Sequence, residues 1–406
     1  MKKLLLILLA FSFCPLAWAG MMDGPPNAAK RSLYTPPGAG GVTTSISAVL
    51  SRSLWANDYG AACNTVTDDH VAFQNMINEA EILGASANFE GICVLTTGLV
   101  INGSKGLIFQ GNGFGASQLV IPPTITAVAV SNAGGVYLRN FYVTEPTQTP
   151  CGGTAETSVP AISATTMTGT FVVSDVEINC ASPGITIAGA SNFHINRVKI
   201  GNVPAASPVA MLLTNSGATP SDDGDISSSL FGGYVYCTEC AGARFENNKW
   251  NASGLPYGFY MQIPAGYSDG DLFFVGNSME GITGDCITLV RGASTGGFGT
   301  VVISGNELSG AIGVYVPTDP TAPWVTGLAI TGNIMAVSTA GTSIDSVSNL
   351  LIANNTIECS GAGVVPNAIG SHVNRGLVGP NIAAQSSGAL CASSTNSGTN
   401  ITTIAP

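Results

Sequence analysis

The stretch Ile303-Ser304-Gly305-Asn306-Glu307-Leu308 occurs in five related copies in the C-terminal half of the chain. In each copy an apolar residue precedes an Asn by three positions, and a hydrophobic residue follows that Asn by two. The other copies are Phe245–Trp250, Phe274–Met279, Ile330–Met335 and Ile352–Ile357. Their Asn residues are Asn248, Asn277, Asn306, Asn333 and Asn355, with spacings of 29, 29, 27 and 22 residues. A repeat of this length built on a short β pattern indicates a solenoid.

The copies alternate apolar and polar residues and contain Gly or Asn at their turns, which is typical of strands joined by tight turns. Stacked coils would place successive Asn side chains about 4.8 Å apart, so that an inward Asn column could form hydrogen bonds along the stack. The sequence therefore predicts an all-β, single-stranded parallel β-helix of about ten or eleven coils, with its function on a long exposed face.

The N-terminal residues have the features of a secretory signal peptide. Basic residues at Lys2 and Lys3 precede an apolar run, and Ala17-Trp18-Ala19 offers a cleavage site with small residues at the required positions. We therefore expect residues 1–19 to be removed and the protein to be exported, to the periplasm or the extracellular space. The remaining sequence has no uninterrupted apolar stretch of membrane-spanning length, so no membrane span is predicted.

The composition favours strands and turns and argues against some partners. Charged residues make up 9% of the chain and there are 51 Gly, whereas helical soluble domains carry far more charge. The formal net charge is −11, and loss of Lys2 and Lys3 would make it more negative. Such a surface repels nucleic acid, and no basic patch offsets it. We predict no nucleic-acid partner.

Nine Cys follow residue 19, and in an exported chain these are expected to form disulfides. Three predicted pairs each close about one coil, and a fourth lies within a CxxC sequence. The predicted pairs are Cys63–Cys93, Cys151–Cys180, Cys359–Cys391 and Cys237–Cys240. A redox pair or half a zinc site is the alternative for the CxxC sequence. Cys286 is expected to remain a free thiol.

The chain is predicted to contain one folded domain after a flexible arm. Residues 20–54 are rich in Pro, Gly, Ser and Thr and form the arm, and residues 55–406 form the domain. Near its start, Thr67 or Asp68 could cap a helix that covers the open end of the solenoid. The apolar stripe expected on that helix is Val71, Met76, Ile77, Ala80 and Ile82.

The same region resembles a known family. Asn57–Ala61, Thr67–Asp69 and Ala72–Gln74 together resemble the entry motif of the pectate-lyase-like superfamily, although Ala62–Asn64 replaces its usual Gly-Asp-Gly. The preceding residues Val42–Arg52 resemble the linker before this motif in phage tailspikes. The resemblance implies a right-handed β-helix that acts on or binds polysaccharide. It also implies that the acidic residues of the motif serve the capping turn rather than chemistry.

A second, shorter resemblance concerns catalysis. Gly284–Leu289 is similar to the polygalacturonase segment that supplies catalytic carboxylates, but only Asp285 matches, because Gly284 replaces the first Asp. The His of that family's downstream Gly-His-Gly is absent from Gly310–Val314. A polygalacturonase mechanism is therefore not expected. Asp285 is a catalytic candidate, with a purely structural role as the alternative.

Alignment of the coils on their Asn residues provides a further carboxylate pair. Glu280 and Glu307 would lie outward on adjacent coils, diagonally offset by about 7–8 Å, which is within the separation of an acid and a base in an inverting glycosidase. Lys249, one coil earlier, could neutralise a uronate or lower a carboxylate pKa. The alternative is that both Glu are simply solvated.

A second outward row contains Tyr260, Thr288 and Tyr315, and stacked Tyr rings would offer a shelf for sugar rings. Ordinary surface aromatics are the alternative. The acidic turn Asp222–Asp225 could bind Ca²⁺, but a solvated turn is the simpler interpretation. We predict no metal site and no cofactor, with Ca²⁺ considered only for a lyase, for which Lys249 and Arg291 are the available bases.

These features predict a secreted protein that cleaves an extracellular polysaccharide, as a glycoside hydrolase or a polysaccharide lyase, in a groove on the β-helix. The alternative is a non-catalytic carbohydrate-binding or adhesion β-helix protein. A tailspike-like protein is one variant of this alternative. Either protein could be a monomer or a homotrimer. Carboxylates that converge in a groove would favour the enzyme, and scattered ones the binding protein.

Overall fold

The structure is a computed structural model that describes residues 33–34, 44–45, 53–144, 159–201, 203, 208–217, 220–264, 268–292, 297–319, 323–361, 363–385 and 391–403. The predicted signal peptide 1–19, most of the predicted arm 20–54 and Cys151 lie outside the described residues. Leu33–Tyr34 and Thr44–Ser45 form a separate antiparallel pair. All other described strands belong to one parallel array.

Each coil contributes strands to three parallel sheets that run along the stack. We name these sheets the first, second and third faces, in the order in which the chain passes through them. Some strands continue around a corner from one face to the next. Strands of the first face alone are Leu99–Asn102, Val128–Ser131, Ile162–Met167, Ile185–Ala190, Val209–Thr214, Tyr234–Cys237, Val365–Ile369 and Thr395–Asn396. Strands on the side of the second face are Ser53–Trp55, Ser86–Phe89, Lys105–Gly111, Phe193–Asn196, Gly224–Ser227, Arg244–Glu246, Ser268–Asp269, Leu272–Val275, Gly297–Ser304, Val325–Thr331, Val347–Ala353, Arg375–Val378 and Ile401–Thr403.

Strands of the third face alone are Asn64–Asp68, Gly91–Val94, Ser117–Val120, Lys199–Gly201, Leu230–Phe231, Thr356–Cys359 and Ile382–Gln385. Strands that turn from the second face to the third are Gly135–Thr144 and Thr170–Asn179. Strands that turn from the third face to the first are Lys249–Ile263, Ser278–Arg291, Glu307–Val316 and Ile334–Ile344. Twelve strands stack in the described part of the first face, slightly more than the ten or eleven coils predicted.

The register of the repeats agrees with the sequence alignment. Phe245 pairs with Phe274, Phe274 with Ile303, and Ile303 with Ile330 on successive coils of the second face. The hydrophobic residues two places after the Asn residues point inward and are fully buried. They are Trp250, Met279, Leu308, Met335 and Ile357. The core is therefore a continuous stack of apolar layers inside the three faces.

The Asn residues form the predicted ladder at the turn from the second face to the third. The Oδ1 atom of Asn306 accepts from the backbone N–H and the Nδ2 of Asn277, each at 2.9 Å. Its own Nδ2 donates to Oδ1 of Asn333 at 2.9 Å and to the carbonyl of Phe274 at 3.0 Å. The ladder continues to Asn381, which binds Asn355 in the same way. Each Asn from Asn248 to Asn355 thereby has protein partners for both its backbone N–H and its Nδ2.

The residue before each of the five repeat Asn residues has a left-handed backbone conformation, with φ of 66° at Gly276, Gly305 and Gly332, 55° at Asn247 and 57° at Asn354. The same conformation precedes Phe141, Val176 and Val198 in upstream coils, at Asn140, Asp175 and Arg197. Those coils thus keep the turn but place an apolar residue at the Asn position. This substitution hides the repeat in the N-terminal half of the sequence.

Among the described residues one α-helix, α1, spans His70–Leu83, between a third-face strand and a second-face strand of the first coils. Its buried residues are Ala72, Phe73, Met76, Ile77 and Ala80. The Phe73 ring lies 5.2 Å from that of Phe89 in the core. Val71 and Ile82, expected in the stripe, are 65% and 78% exposed. They miss the buried face because that face follows the spacing of positions 73, 76, 77 and 80.

The helix begins differently from the prediction that Thr67 or Asp68 is its cap. Asp69 is the N-cap residue and makes no side-chain capping bond. Its carboxylate instead accepts from the N–H groups of Ala62 and Cys63 at 2.6 and 3.1 Å. Asp68 accepts from the N–H of His70 at 3.1 Å. Both acidic residues therefore hold turns together, in agreement with the structural role that the family resemblance implies.

Three predicted disulfides are present within the described residues: Cys63–Cys93, Cys237–Cys240 and Cys359–Cys391. Cys180 is also disulfide-bonded, and its predicted partner Cys151 lies outside the described residues. Cys286 is a buried free thiol, as expected. No helix in the described ranges is long and apolar enough to cross a membrane.

Candidate functional site

Four tyrosines form a continuous aromatic surface on the first face, which we call the tyrosine patch. Tyr234 and Tyr236 lie on one strand, and Tyr257 and Tyr260 lie on the strand of the next coil. The ring centroids are 5.9 Å apart for Tyr234 and Tyr257, 5.5 Å for Tyr236 and Tyr260, and 4.6 Å for Tyr257 and Tyr260. All four side chains are half-buried. The patch is a fixed platform because each ring is supported by another.

The phenol groups of Tyr234, Tyr236 and Tyr260 stay protonated over the ordinary pH range. Burial raises the pKa of Tyr234, Tyr236 and Tyr260 above the usual value for a phenol. The hydroxyl of Tyr236 lies 3.0 Å from Oε1 of Gln262, to which it donates. The patch therefore combines apolar ring surface with neutral hydrogen-bonding groups at its edge.

The predicted row of Tyr260, Thr288 and Tyr315 is in register across three coils. Thr288, however, is only 2% exposed, so the row is interrupted between the two aromatic rings. The aromatic neighbours of Tyr260 lie on its own coil and the preceding one. Sequence reasoning missed Tyr234, Tyr236 and Tyr257, although the alternation Tyr234-Val235-Tyr236 would have placed two of them on one outward face.

Asp285 borders the tyrosine patch, because it is the register partner of Tyr257 on the next coil. It is half-buried, and this burial raises the pKa of its carboxyl group, while a hydrogen bond from Thr288 Oγ1 at 3.3 Å acts in the opposite direction. A carboxyl group with a raised pKa retains a proton to higher pH and suits the role of proton donor.

The neighbour of Asp285 explains why the polygalacturonase pattern is incomplete. A Cβ atom on Gly284 would lie 2.1 Å from the carbonyl oxygen of Pro256. Only Gly fits where these two coils approach so closely. A second Asp at position 284 is therefore excluded by packing.

The predicted catalytic pair of Glu280 and Glu307 lies on adjacent coils, and its catalytic role stays a prediction. Their register is as expected, with Ser278 opposite Glu307 and Asn251 opposite Glu280. Glu280, however, binds Lys249 of the preceding coil at 3.0 Å, whereas Glu307 lies on the following coil. The hydrogen bond and charge of Lys249, with a bond from Ser278, lower the pKa of Glu280. An ion-paired carboxylate of this kind is a poor proton donor.

The two basic candidates are held by carboxylates. Lys249 is the ion-pair partner of Glu280 described above. The Arg291 side chain is 11% exposed and its Nη1 lies 3.0 Å from Oδ2 of Asp319. Each residue is thus paired with a carboxylate, and its role as the base of a lyase stays a prediction.

The acidic turn Asp222–Asp225 does not gather its carboxylates around one point. Oδ2 of Asp225 pairs with Nδ1 of His194 at 3.2 Å, while burial and then the charge of Asp223 raise the pKa of Asp222. Within the described residues, the group of potential metal ligands that lies close enough together is Cys63, Asp69 and Cys93. Its two sulfur atoms form a disulfide, so the group does not suit a metal ion.

Two polar grooves were not found from the sequence. One, of about 320 Å³, lies on the second face and is lined by His194, Asn196, Asp225, Ile226, Ser227, Arg244 and Glu246. The guanidinium of Arg244 lies 4.5 Å from the centre of the Phe273 ring. These residues are distant in sequence and meet only because three coils stack in register.

The other groove, of about 310 Å³, lies beside Tyr315 and includes Asp345. Oδ2 of Asp345 is 3.1 Å from Nδ1 of His372 and accepts from Thr318 Oγ1 at 2.9 Å. Burial acts to raise the pKa of Asp345, but the hydrogen bonds from His372, Ser346 and Thr318 outweigh it and lower the pKa. Asp345 therefore organises the turns around it.

Comparison with known proteins identifies the fold. No protein-family model and no curated protein sequence match the chain. Among solved structures, a tailspike variant of E. coli bacteriophage HK620 in complex with a hexasaccharide matches at 12% identity, with a TM-score of 0.62, over 91% of this chain and 77% of that one. The surface adhesin PfbA of Streptococcus pneumoniae matches at 13% identity, with a TM-score of 0.57, over 86% of this chain and 91% of that one.

The A-module of the Azotobacter vinelandii mannuronan C-5 epimerase AlgE6 matches at 14% identity, with a TM-score of 0.55, over 87% of this chain and 99% of that module. At such identities the likeness concerns the fold, and all three proteins share it with this chain over most of its length. The chain has the right-handed parallel β-helix fold that these proteins share.

Proposed function

We propose that the protein binds an extracellular polysaccharide along its first face, with the tyrosine patch as the platform for the sugar rings. The observation that carries this proposal is the mutual packing of four half-buried tyrosines over two adjacent coils. Aromatic faces bind the apolar faces of sugar rings, and the phenol hydroxyls can bind the equatorial hydroxyl groups. Coils stacked about 4.8 Å apart present such groups as a linear track, which suits a linear polymer.

The structural neighbours support this class of ligand. The HK620 tailspike is bound to a hexasaccharide, the epimerase is named for a polysaccharide substrate, and PfbA is a surface adhesin. The predicted signal peptide and the disulfides add to the proposal that the polymer is met outside the cytoplasm. The periplasmic or extracellular location, and the choice between monomer and homotrimer, remain predictions from the sequence.

A Tyr260→Ala variant tests the proposed platform, because Tyr260 contacts both Tyr236 and Tyr257. We expect about tenfold weaker binding, or about 1.4 kcal/mol, to any glycan that the wild type retains in affinity electrophoresis or calorimetry. Tyr137→Ala is the matched control, since Tyr137 is also half-buried but lies on the second face beside Arg139. Equal affinity of the Tyr260→Ala variant and the wild type would refute the platform.

Hydrolysis of the bound polymer is a second candidate function, favoured by the raised pKa of Asp285 at the edge of the patch. We propose Asp285 as the proton donor to the glycosidic oxygen. The test is release of new reducing ends by the wild type and by Asp285→Asn. Release by the wild type that is lost in the variant, with binding retained, would support the enzyme. Binding without release by either protein would leave a binding or adhesion protein as the function.

A further inference from the structure

We infer that the glycan bound by the first face is uncharged, a polymer of neutral sugars rather than of uronates or of sulfated or phosphorylated sugars. The inference rests on the proposed function, because it concerns the ligand of the tyrosine patch. It follows from where the cationic side chains of this chain lie and from what each of them contacts.

Cationic side chains are few, and the structure describes every one after residue 52. The sequence has Lys or Arg at only eight positions beyond Arg52, and all eight fall within the described ranges. They are Lys105, Arg139, Arg197, Lys199, Arg244, Lys249, Arg291 and Arg375. Five of them are in ion pairs with carboxylates. The pairs are Arg197–Asp175, Lys199–Glu177, Arg244–Glu246, Lys249–Glu280 and Arg291–Asp319.

The cations are concentrated away from the first face. Arg139, Arg244 and Arg375 lie on strands of the second face, where Lys105 also begins a strand. Lys199 and Lys249 belong to the third face, and Arg197 lies in the turn between those two faces. Arg291 ends a first-face strand, but its side chain is 11% exposed and faces Asp319.

The groups that do surround the tyrosine patch suit neutral sugars. They include phenol hydroxyls held protonated by burial and the amide of Gln262, which donate or accept hydrogen bonds without charge. The register partner of Tyr257 on the next coil is an acid, Asp285. A uronate carboxylate that bound to this surface would lose its hydrating water. Its neighbour there would be a carboxyl group and not a cation, so nothing would offset that loss.

The whole molecule adds to this preference. Its formal net charge is −11, so a polyanion is repelled before it reaches the face. A neutral polymer meets no such barrier, and its hydroxyl groups find partners at the patch. The same inference bears on the second candidate function. β-Elimination begins with removal of the C5 proton that a uronate carboxyl group acidifies, so cleavage of a neutral polymer at this face would be hydrolysis.

The test is a panel of immobilised neutral glycans (dextran, mannan, galactan, xylan) and anionic ones (polygalacturonate, polymannuronate, a sulfated galactan), with the wild type and Tyr260→Ala at low and high salt. We expect retention by a neutral glycan only, unchanged by salt and weakened about tenfold in the variant. Salt-sensitive retention by an anionic glycan, also weakened in Tyr260→Ala, would overturn the inference and leave the proposed platform standing. Retention unaffected by Tyr260→Ala, or no retention by any glycan, would overturn the proposed platform itself.

A gain of function provides an independent arm. Gln262→Lys places a cation beside Tyr236, whereas Asn349→Lys adds the same charge on the second face. If the absence of an available cation sets the preference, the first variant should acquire retention by an anionic counterpart of the neutral ligand and the second should not. Equal behaviour of both variants would contradict the inference.

Discussion

The Asn306 side chain makes four hydrogen bonds, two as acceptor and two as donor, and it is almost fully buried. Each bond has a partner that is itself buried, so the side chain and its neighbours satisfy one another. A buried polar group of this kind stabilises the fold only while its partners are complete. An Asn inside the ladder therefore contributes more to the free energy of unfolding than an Asn on the surface does.

Replacement of Asn306 by Ala should destabilise the protein by about 2–4 kcal/mol, because it removes the acceptor of the buried Asn277 N–H, one of the two acceptors of the Asn277 Nδ2, and the Nδ2 donor to Oδ1 of Asn333. Asn349→Ala is the control, since Asn349 is an exposed Asn of the second face, and it should change stability by no more than about 0.5 kcal/mol. Chemical denaturation monitored by circular dichroism measures both. Similar midpoints for the two variants would show that the ladder is energetically unimportant.

Asp285 provides a pH-dependent prediction. Because burial raises its folded-state pKa above the ordinary value near 3.9, the folded state carries a cost once the carboxyl group ionises, and none below that ordinary value. Asp285→Asn should therefore raise Tm relative to the wild type at about pH 7 and much less at about pH 3. Thermal unfolding at both pH values measures the difference. A gain that is the same at both would contradict a raised pKa.

At the scale of elements, the helix α1 shows how packing selects one face of a helical pattern. Several apolar residues of His70–Leu83 compete for burial, and the core of the first coils accepts the side that bears Phe73. Phe73 packs against the rings of Phe89 and Phe109, at 5.2 and 6.2 Å between centroids. Val71, only two positions earlier, points to solvent.

Phe73→Ala should cost about 3–5 kcal/mol of stability because it opens a cavity against Phe89 and Phe109. Val71→Ala removes an apolar side chain of the same helix from the exposed side and should cost no more than about 0.5 kcal/mol. Denaturant midpoints of the two variants provide the comparison. If Val71→Ala were as costly as Phe73→Ala, the orientation of α1 would be wrong.

At the scale of the whole molecule, stability is distributed along a stack in which each coil contacts mainly its two neighbours. Coils in the middle are covered on both sides by parallel strands. The last described strands, Thr395–Asn396 and Ile401–Thr403, have a described neighbour on one side only. Free energies of local opening should follow this order.

Amide hydrogen exchange measured by mass spectrometry should show the strongest protection in Lys249–Ile263, Ser278–Arg291 and Glu307–Val316 and the weakest in Ile401–Thr403. The physical reason is that opening a central coil breaks two sets of inter-strand bonds, whereas opening the last one breaks one set. Uniform protection along the chain would indicate that the stack unfolds as a single unit under native conditions.

The candidate site was less predictable than the fold. Tyr260 was identified from outward alternation, and Asp285 from a family resemblance. In the structure Asp285 is the register partner of Tyr257, whose ring contacts that of Tyr260. Glu280 and Glu307 had the expected register, but the register does not say which neighbour a carboxylate binds, and Lys249 holds Glu280. Binding and cleavage of the proposed polymer would use the same face. A measurement of released reducing ends therefore distinguishes the two functions.

The sequence by itself determined the period, the parallel stacking, the Asn ladder, three disulfides and the inward residues of the C-terminal coils. These properties are local, because a period-2 alternation and a turn residue specify the direction of every side chain within one coil. Only the tertiary structure decided the upstream coils, the orientation of α1, the ion pairs and the tyrosine patch. These features depend on which side chains meet on neighbouring coils. The number of residues per coil varies along the chain, so the sequence alone does not specify those contacts.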